Sequence, residues 1–246
     1  MKIIRDVTFY KGLKLDIFVP EGKVYKTFVH FHGGGIVSGD KTDVEDLMKH
    51  LADKGILVFN ANYSLYPNTK FPKFLIESAH AVRYAFDHLS EYGGDAKEVF
   101  LSGQSAGAYI IMMLCMNPEY LNKVKLKPLD IKGYVSDSGQ MIDHFNVQNQ
   151  ERGIDPWLQR ISELSPIYYV DEKVNISSTL LIYYSNDMLN RKEQNIMLYN
   201  LVKHYNPDAD IAHIELHGGH VEGSCKLDAH NEYPYVRVLM EWLSNR

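Results

Sequence analysis

Residues 103–107 read Gly-Gln-Ser-Ala-Gly, between the β-branched and aromatic run EVFLSG and the long apolar run AGAYIIMMLCM. The first run suits a buried strand and the second opens a helix, so the pentapeptide has to turn strand into helix within about one residue. Glycines two positions to either side of the serine let the backbone of that turn approach neighbouring strands without a clash. A serine held there stands clear of the sheet at the strand's C-terminal end, which makes Ser105 a candidate nucleophile. A glycine-rich loop that merely contains serines is the plainer alternative.

The rest of the chain repeats the alternation. Residues 2–9 and 14–19 pattern as a hairpin turning at YKG, and YKTFVHFH (25–32) reads as a strand covered on both faces. Val44, Leu47, Met48 and Leu51 recur at helical spacing over 42–54, with Thr42 as N-cap, Glu45 three residues on and Gly55 as the stop. Strands at 56–60, 98–102, 130–136, 179–184 and 211–216 alternate with helices at 72–89, from 106, at 190–204 and at 233–244. Short links between alternating strands and helices specify a mostly parallel α/β sheet of about eight strands with helices on both faces. Residues 139–178 hold no strand pattern and read as a small helical insertion over the sheet. No Pro/Gly/Ser-rich linker or repeat divides residues 1–246, so a single domain is expected.

Composition narrows the partners. A net charge of −5 disfavours nucleic acid or an anionic membrane as the main partner. No apolar run reaches the roughly 18 residues of a membrane span, and the first residues alternate like a strand instead of forming an apolar leader. Two cysteines, Cys115 and Cys225, supply neither a disulfide framework nor a zinc set. A cytoplasmic protein acting on a small molecule is expected, and oligomeric state is left open.

A serine hydroxyl needs a base to take its proton, and the base needs a carboxylate to orient it. Asp187, in SNDMLN, follows the strand TLLIYY, and His220, in HIELHGGHVEGS, lies four residues past the next predicted strand. Both fall on the sheet edge where Ser105 would emerge. Asp137, ending the strand before, is the main rival acid, and His217 the rival base. Ser102, Ser136 and Ser138 lack the strand–turn–helix setting. His30 and His32, two apart on one strand, and His213, His217 and His220 invite a metal reading, but no ligand set with a carboxylate or paired cysteines completes it. No metal and no organic cofactor is expected.

HGGG (32–35), GQSAGA (103–108), SND (185–187) and GGHVEG (218–223) together resemble an α/β-hydrolase of the hormone-sensitive-lipase-like esterase group. NYSLYPNTKFP (62–72) is similar to the stretch those enzymes carry after the glycine loop. The resemblance implies Ser105 as nucleophile, His220 as base then acid, and Asp187 as its orienting carboxylate. It also implies an oxyanion hole of backbone N–H groups from Gly34, Gly35 and Ala106, with Gly33 making the turn. His32 is expected to buttress that loop. Two departures stand out: no N-terminal cap precedes the glycine motif, and SNDMLN lacks the proline often found beside the acid. The outline is closer to compact carboxylesterases and carbohydrate or feruloyl-type esterases. Shaping of the pocket then falls to 139–178, with Phe145, Trp157, Tyr168 and Tyr169 as candidate walls and Tyr63 and Tyr66 near the site. The implied activity is hydrolysis of short-chain or small aryl or carbohydrate carboxylic esters through an acyl-enzyme. The alternatives are an amidase, formamidase or peptidase using the same residues, and a non-catalytic binding protein of the same fold.

Overall fold

Apolar runs that alternate along the sequence become neighbours in one eight-stranded sheet, in a computed structural model that describes all residues from Met1 to Arg246. The chain opens with the hairpin β1 (Lys2–Tyr10) and β2 (Leu13–Val19), then β3 (Lys26–Phe31), α1 (Glu45–Asp53) and β4 (Ile56–Ala61). Helix α2 (Lys73–His88) leads to β5 (Val99–Gln104), followed by α3 (Ala106–Met116), the short α4 (Pro118–Asn122) and β6 (Gly133–Asp137). The insertion carries α5 (Phe145–Arg152). Then come β7 (Ser178–Asn186), α6 (Arg191–Tyr205), β8 (Ile211–Gly219), the single turn α7 (Glu222–Cys225) and α8 (Pro234–Leu243). The spatial order is β1-β2-β4-β3-β5-β6-β7-β8. β2 runs antiparallel to both neighbours, and every pair from β4 to β8 is parallel.

The period-two alternation of the strands sorts side chains to two cores. Val29, Phe31, Leu57, Phe59 and Leu101 face the layer of α2, α3 and α6. Phe28, Val58 and Phe100 face α1 and α8, where the rings of Phe28 and Phe100 stack at 5.3 Å. Helix α3 is apolar all round, and each of its residues is buried. No helix of the structure is long and apolar enough to cross a membrane.

Two local expectations are corrected. Thr42 does not cap α1: Asp40 accepts the Thr42 N–H at 2.9 Å, and Asp43 returns the bond to the Asp40 N–H at 2.9 Å. The helix is therefore entered through a 3₁₀ turn at Lys41–Val44. Glu45, expected to close the cap, instead grips Arg5 of the hairpin through two bonds of 2.7 and 2.8 Å. The sixth strand begins at Gly133 and not at residue 130, because Pro128–Asp130 forms a 3₁₀ turn.

The parallel strands end on one edge, and α3 is wedged against that edge closely enough to exclude any side chain at Gly107. A Cβ there would lie 2.0 Å from the Phe31 carbonyl oxygen, and one at Gly103 would lie 2.3 Å from the Gly107 carbonyl carbon. Both obstacles are backbone, which cannot swing aside. Gly107→Ala is expected to destabilise the fold by about 3 kcal/mol, lowering the thermal midpoint by roughly 6–12 °C in a melt followed by circular dichroism.

Candidate active site

Ser105 sits between β5 and α3 at φ 52 and ψ −109, a conformation that L residues rarely adopt. Its N–H donates to the Asp137 carbonyl at 2.8 Å, and its own carbonyl accepts the Tyr109 N–H at 2.9 Å. The strained turn is thus pinned on both sides. The Ser105 hydroxyl lies 2.8 Å from Nε2 of His220, which directly follows β8. On the far side of the ring, Nδ1 of His220 lies 2.6 Å from Oδ1 of Asp187, the residue after β7. Geometry assigns the tautomer: Nδ1–H donates to the carboxylate, leaving Nε2 to accept the serine proton. β8 extends through Gly219, so His220 follows the strand immediately and not after the four-residue gap expected from the sequence.

The Asp187 carboxylate is buried and fully engaged. Oδ1 also accepts the Met188 N–H at 2.7 Å, and Oδ2 accepts the Ser138 hydroxyl. Burial alone would raise its pKa, but the hydrogen bonds from His220 and Ser138 outweigh that and hold it below the ordinary carboxylate value. It therefore favours its charged form, in which it can accept the His220 N–H.

The glycine loop after β3 closes the other side of the serine. Positive φ falls on Gly34 (101°), Gly35 (64°) and Ile36 (62°), so the reversal is made at 34–36 and not at Gly33. Val37 and Ser38 donate back to the Gly34 carbonyl at 3.2 and 3.0 Å, leaving no space for a Cβ at Gly34, which would sit 2.0 Å from the Ser38 oxygen. None of the loop hydrogen bonds uses the N–H of Gly34, Gly35 or Ala106. Ala106 is the first residue of α3, where a helix leaves its N–H groups free and slightly positive.

Around the loop, His32 donates to the Gly33 carbonyl (2.7 Å from Nδ1), and Tyr63 stacks on its ring at 4.5 Å. The Tyr63 hydroxyl donates to the His32 carbonyl at 2.8 Å. His30 pairs with Ser102 at 2.8 Å, and burial, with His32 close by, pushes its pKa down to about 3. Both imidazoles are neutral structural groups. Tyr66 reaches Glu151 of α5 at 2.5 Å, and Asn146 of α5 donates to the Gly35 carbonyl at 2.8 Å. A cleft of about 540 Å³ opens over Ser105, lined by the glycine loop, Asp43, Val44, His220, Val221 and Cys225. Phe145, Trp157, Tyr168 and Tyr169 are not among its lining residues, and Trp157 and Tyr168 are 66% and 56% exposed. Trp157 and Tyr168 thus face solvent, the Tyr168 ring meeting Tyr169 edge to face, while Tyr169 also packs on the core and Phe145 stacks on His144 at 4.6 Å beside Gly35.

A family model described as the alpha/beta hydrolase fold matches residues 28–160. The chain belongs to that family. A probable isoprenylcysteine alpha-carbonyl methylesterase of Arabidopsis thaliana is 28% identical over 155 residues, covering 57% of this chain and 32% of the relative. An acetyl esterase of Salmonella typhi is 28% identical over 106 residues, covering 43% and 33%. The matched stretch therefore spans about a third of the length of these curated relatives. Among solved structures, esterase 2 of Thermogutta terrifontis superposes with a TM-score of 0.80 at 18% identity, over 99% of this chain and 94% of that one. Esterase B of Lactobacillus rhamnosis does so with a TM-score of 0.80 at 15% identity, over 99% and 84%. These structural likenesses establish the α/β-hydrolase fold of the whole chain.

Within this α/β hydrolase, Asp137 is not beside His220. Its buried carboxyl accepts the Tyr184 hydroxyl at 2.9 Å and the Ser224 hydroxyl. Gln104 in turn donates to Ser224 at 2.6 Å, tying the turn after His220 to the end of β5. His217 lies 3.3 Å from the Ser185 hydroxyl, away from Ser105. Three contributors escaped the sequence reading. Arg191, in the charged stretch NRKEQN, looks like an exposed helix residue yet is 3% exposed. Ser138 was a candidate only as a nucleophile, and Asn146 carried no signal at all.

Burial pushes the Asp137 carboxyl up to about 7; its hydrogen bonds to Ser224 and Tyr184 only partly offset this, and the charge of Asp187 adds to the rise. Between about pH 4 and 7 the folded chain therefore keeps a proton that the unfolded chain releases. The associated stability is fully present below about pH 4 and is lost as pH rises through about 7, on the order of 4 kcal/mol in all. Asp137→Asn removes this dependence. Its thermal midpoint relative to the unaltered protein is expected to be several degrees more favourable at about pH 8.5 than at about pH 5. Equal shifts at both pH values would contradict the account.

Proposed function

We propose that this chain is a serine hydrolase of carboxylic esters that works through an acyl-enzyme on Ser105. The observation that carries the reading is the unbroken relay from the Ser105 hydroxyl through His220 to Asp187, at 2.8 and 2.6 Å. It starts from a serine held at φ 52 beside free backbone donors. In this reading His220 Nε2 takes the serine proton as Oγ attacks the ester carbonyl. The N–H groups of Gly34, Gly35 and Ala106 receive the charge that builds on the carbonyl oxygen, and removing one such donor typically costs about 10²–10³-fold in kcat. The imidazolium, steadied by Asp187, then passes its proton to the leaving alkoxide. Water activated by the same imidazole releases the acid and frees the serine. Each step uses groups of the chain itself.

The relatives lend substrate chemistry to the proposal: one is named an acetyl esterase, another a methylesterase, and Thermogutta terrifontis esterase 2 has been captured phosphorylated by paraoxon. We assign short-chain, small aryl or carbohydrate esters as the substrate class. Residues 139–178, within a single domain, bring α5 against Gly35 and so close that flank of the site. Two free thiols, Cys115 buried and Cys225 exposed, suit a reducing compartment such as the cytoplasm.

Ser105→Ala is expected to lower kcat/KM for p-nitrophenyl acetate by about 10⁴-fold or more while leaving the thermal midpoint unchanged. A fluorophosphonate should label the unaltered protein on one serine and leave the variant unlabelled. Activity in the variant within tenfold of the parent would refute the assignment. Parallel assays on the matching anilide test the amidase alternative, which gains support only if the amide is cleaved at a comparable rate.

A further inference from the structure

The three residues of the relay come from different strands, yet one dipeptide touches the supports of all of them. At the end of β6, the Asp137 carbonyl accepts the Ser105 N–H at 2.8 Å, and the Asp137 carboxyl accepts the hydroxyl of Ser224, in the turn after His220. The next residue, Ser138, donates its hydroxyl to Oδ2 of Asp187. Ser138 reaches that oxygen because its backbone is left-handed, at φ 59, a conformation a non-glycine residue keeps only when its surroundings enforce it.

Two contacts enforce it. The Ser138 N–H continues the sheet to the Ile182 carbonyl at 2.8 Å, and its carbonyl accepts Nη1 of Arg191. The guanidinium is buried, and no carboxylate lies within ion-pair distance of it. Its other contacts, Gln140 Oε1 at 3.4 Å and Met188 Sδ at 3.6 Å, are long and neutral, and Nε has no partner. A charged side chain is costly to bury without a counter-ion, so its retention beside this one carbonyl calls for a purpose. The charge that favours its ionised form is that of Asp187, the carboxylate Ser138 holds. Asp137, His220 and Arg191 are the titratable groups whose charges face that carboxylate from β6, the loop after β8 and α6.

We propose that Ser138, locked in its left-handed turn by the buried Arg191, is a positioning residue that aims the Asp187 carboxylate at His220. Without the hydroxyl, Oδ2 loses the partner that fixes the rotation of the carboxylate, so Oδ1 no longer points steadily at Nδ1. The inference rests on the ester-hydrolase reading above. It adds a residue that touches neither substrate nor nucleophile.

Ser138→Gly tests it cleanly, because glycine adopts φ 59 without strain, and that relief offsets part of the stability lost with the hydroxyl. Expected are a fall in kcat of about 10–100-fold with KM changed less than threefold, and an altered acidic limb of the kcat/KM profile. The low-field proton resonance of the His220 Nδ1–H should weaken or move. Ser138→Thr keeps the hydroxyl and should retain most of the activity per folded molecule, at some cost in thermal midpoint. Should the glycine variant not fold, Ser138→Ala reads out the same loss. Arg191→Lys should slow the parent enzyme yet cost little further in the Ser138→Gly background, since both act along one path.

A glycine variant within twofold of the parent in kcat, with an unmoved resonance, overturns the proposal, as does an Arg191→Lys effect of equal size in both backgrounds. Ser105→Ala, assayed alongside, separates the two levels. If it is inactive while Ser138→Gly is normal, only the positioning role fails; if it is active, the hydrolase reading itself fails.

Discussion

Everything at the active edge depends on one backbone turn. Ser105 holds a left-handed φ of 52°, and a turn that sharp fits only because residues on both sides have no Cβ to place. Gly107 lets α3 press its first turn against the end of β3, and the same closeness brings the glycine loop after β3 beside the serine. The strain at Ser105 is met by ordinary backbone bonds to Asp137 and Tyr109 and by burial of the whole of α3. Chemistry-bearing geometry and core packing are one arrangement here, so neither can be altered alone.

The two aspartates at this edge show how surroundings, and not residue type, assign a role. The side chains of Asp137, the last residue of β6, and Asp187, just after β7, are both enclosed at the ends of adjacent parallel strands. Asp187 accepts three hydrogen bonds, one from an imidazole that gains from a negative neighbour, and keeps its charge. Asp137 accepts two neutral hydroxyls in a drier place and is drawn toward its protonated form. A charge suits the orienting acid, and a near-neutral carboxyl suits a spacer that joins two loops. Below about pH 7 the edge therefore carries mainly one carboxylate charge, that of Asp187, instead of two that repel.

Most of the fold is legible in the sequence because it rests on local periodicity. Runs such as TFVHF, ILVFN and TLLIYY alternate between two cores, and the helices between them show their apolar faces. The relay residues are legible for a different reason: each directly follows a strand, and parallel strands deliver their ends to one edge. What was hidden depends on contacts between residues far apart in the chain. Asp40 caps a 3₁₀ turn ahead of α1, and Glu45 is claimed by Arg5, forty positions away. Arg191 sits in a charged stretch that ordinarily faces water, and only the fold shows that it is enclosed. The aromatic residues at 157 and 168 look like pocket walls by composition, but where an irregular segment turns its side chains has no periodic signature.

The order of elements along the chain also has a consequence in time. The serine turn and the glycine loop are made early, whereas His220 lies 115 residues beyond Ser105. At a synthesis rate of about 5–20 residues per second, the emerging chain carries Ser105 for roughly 6–23 s before His220 exists. Throughout that interval, on the proposed mechanism, the serine hydroxyl lacks the imidazole that would take its proton and is dormant. Chain fragments that stop short of residue 220 share that dormancy, so on the proposed mechanism reactivity arrives only once the last strand of the sheet has been made and docked.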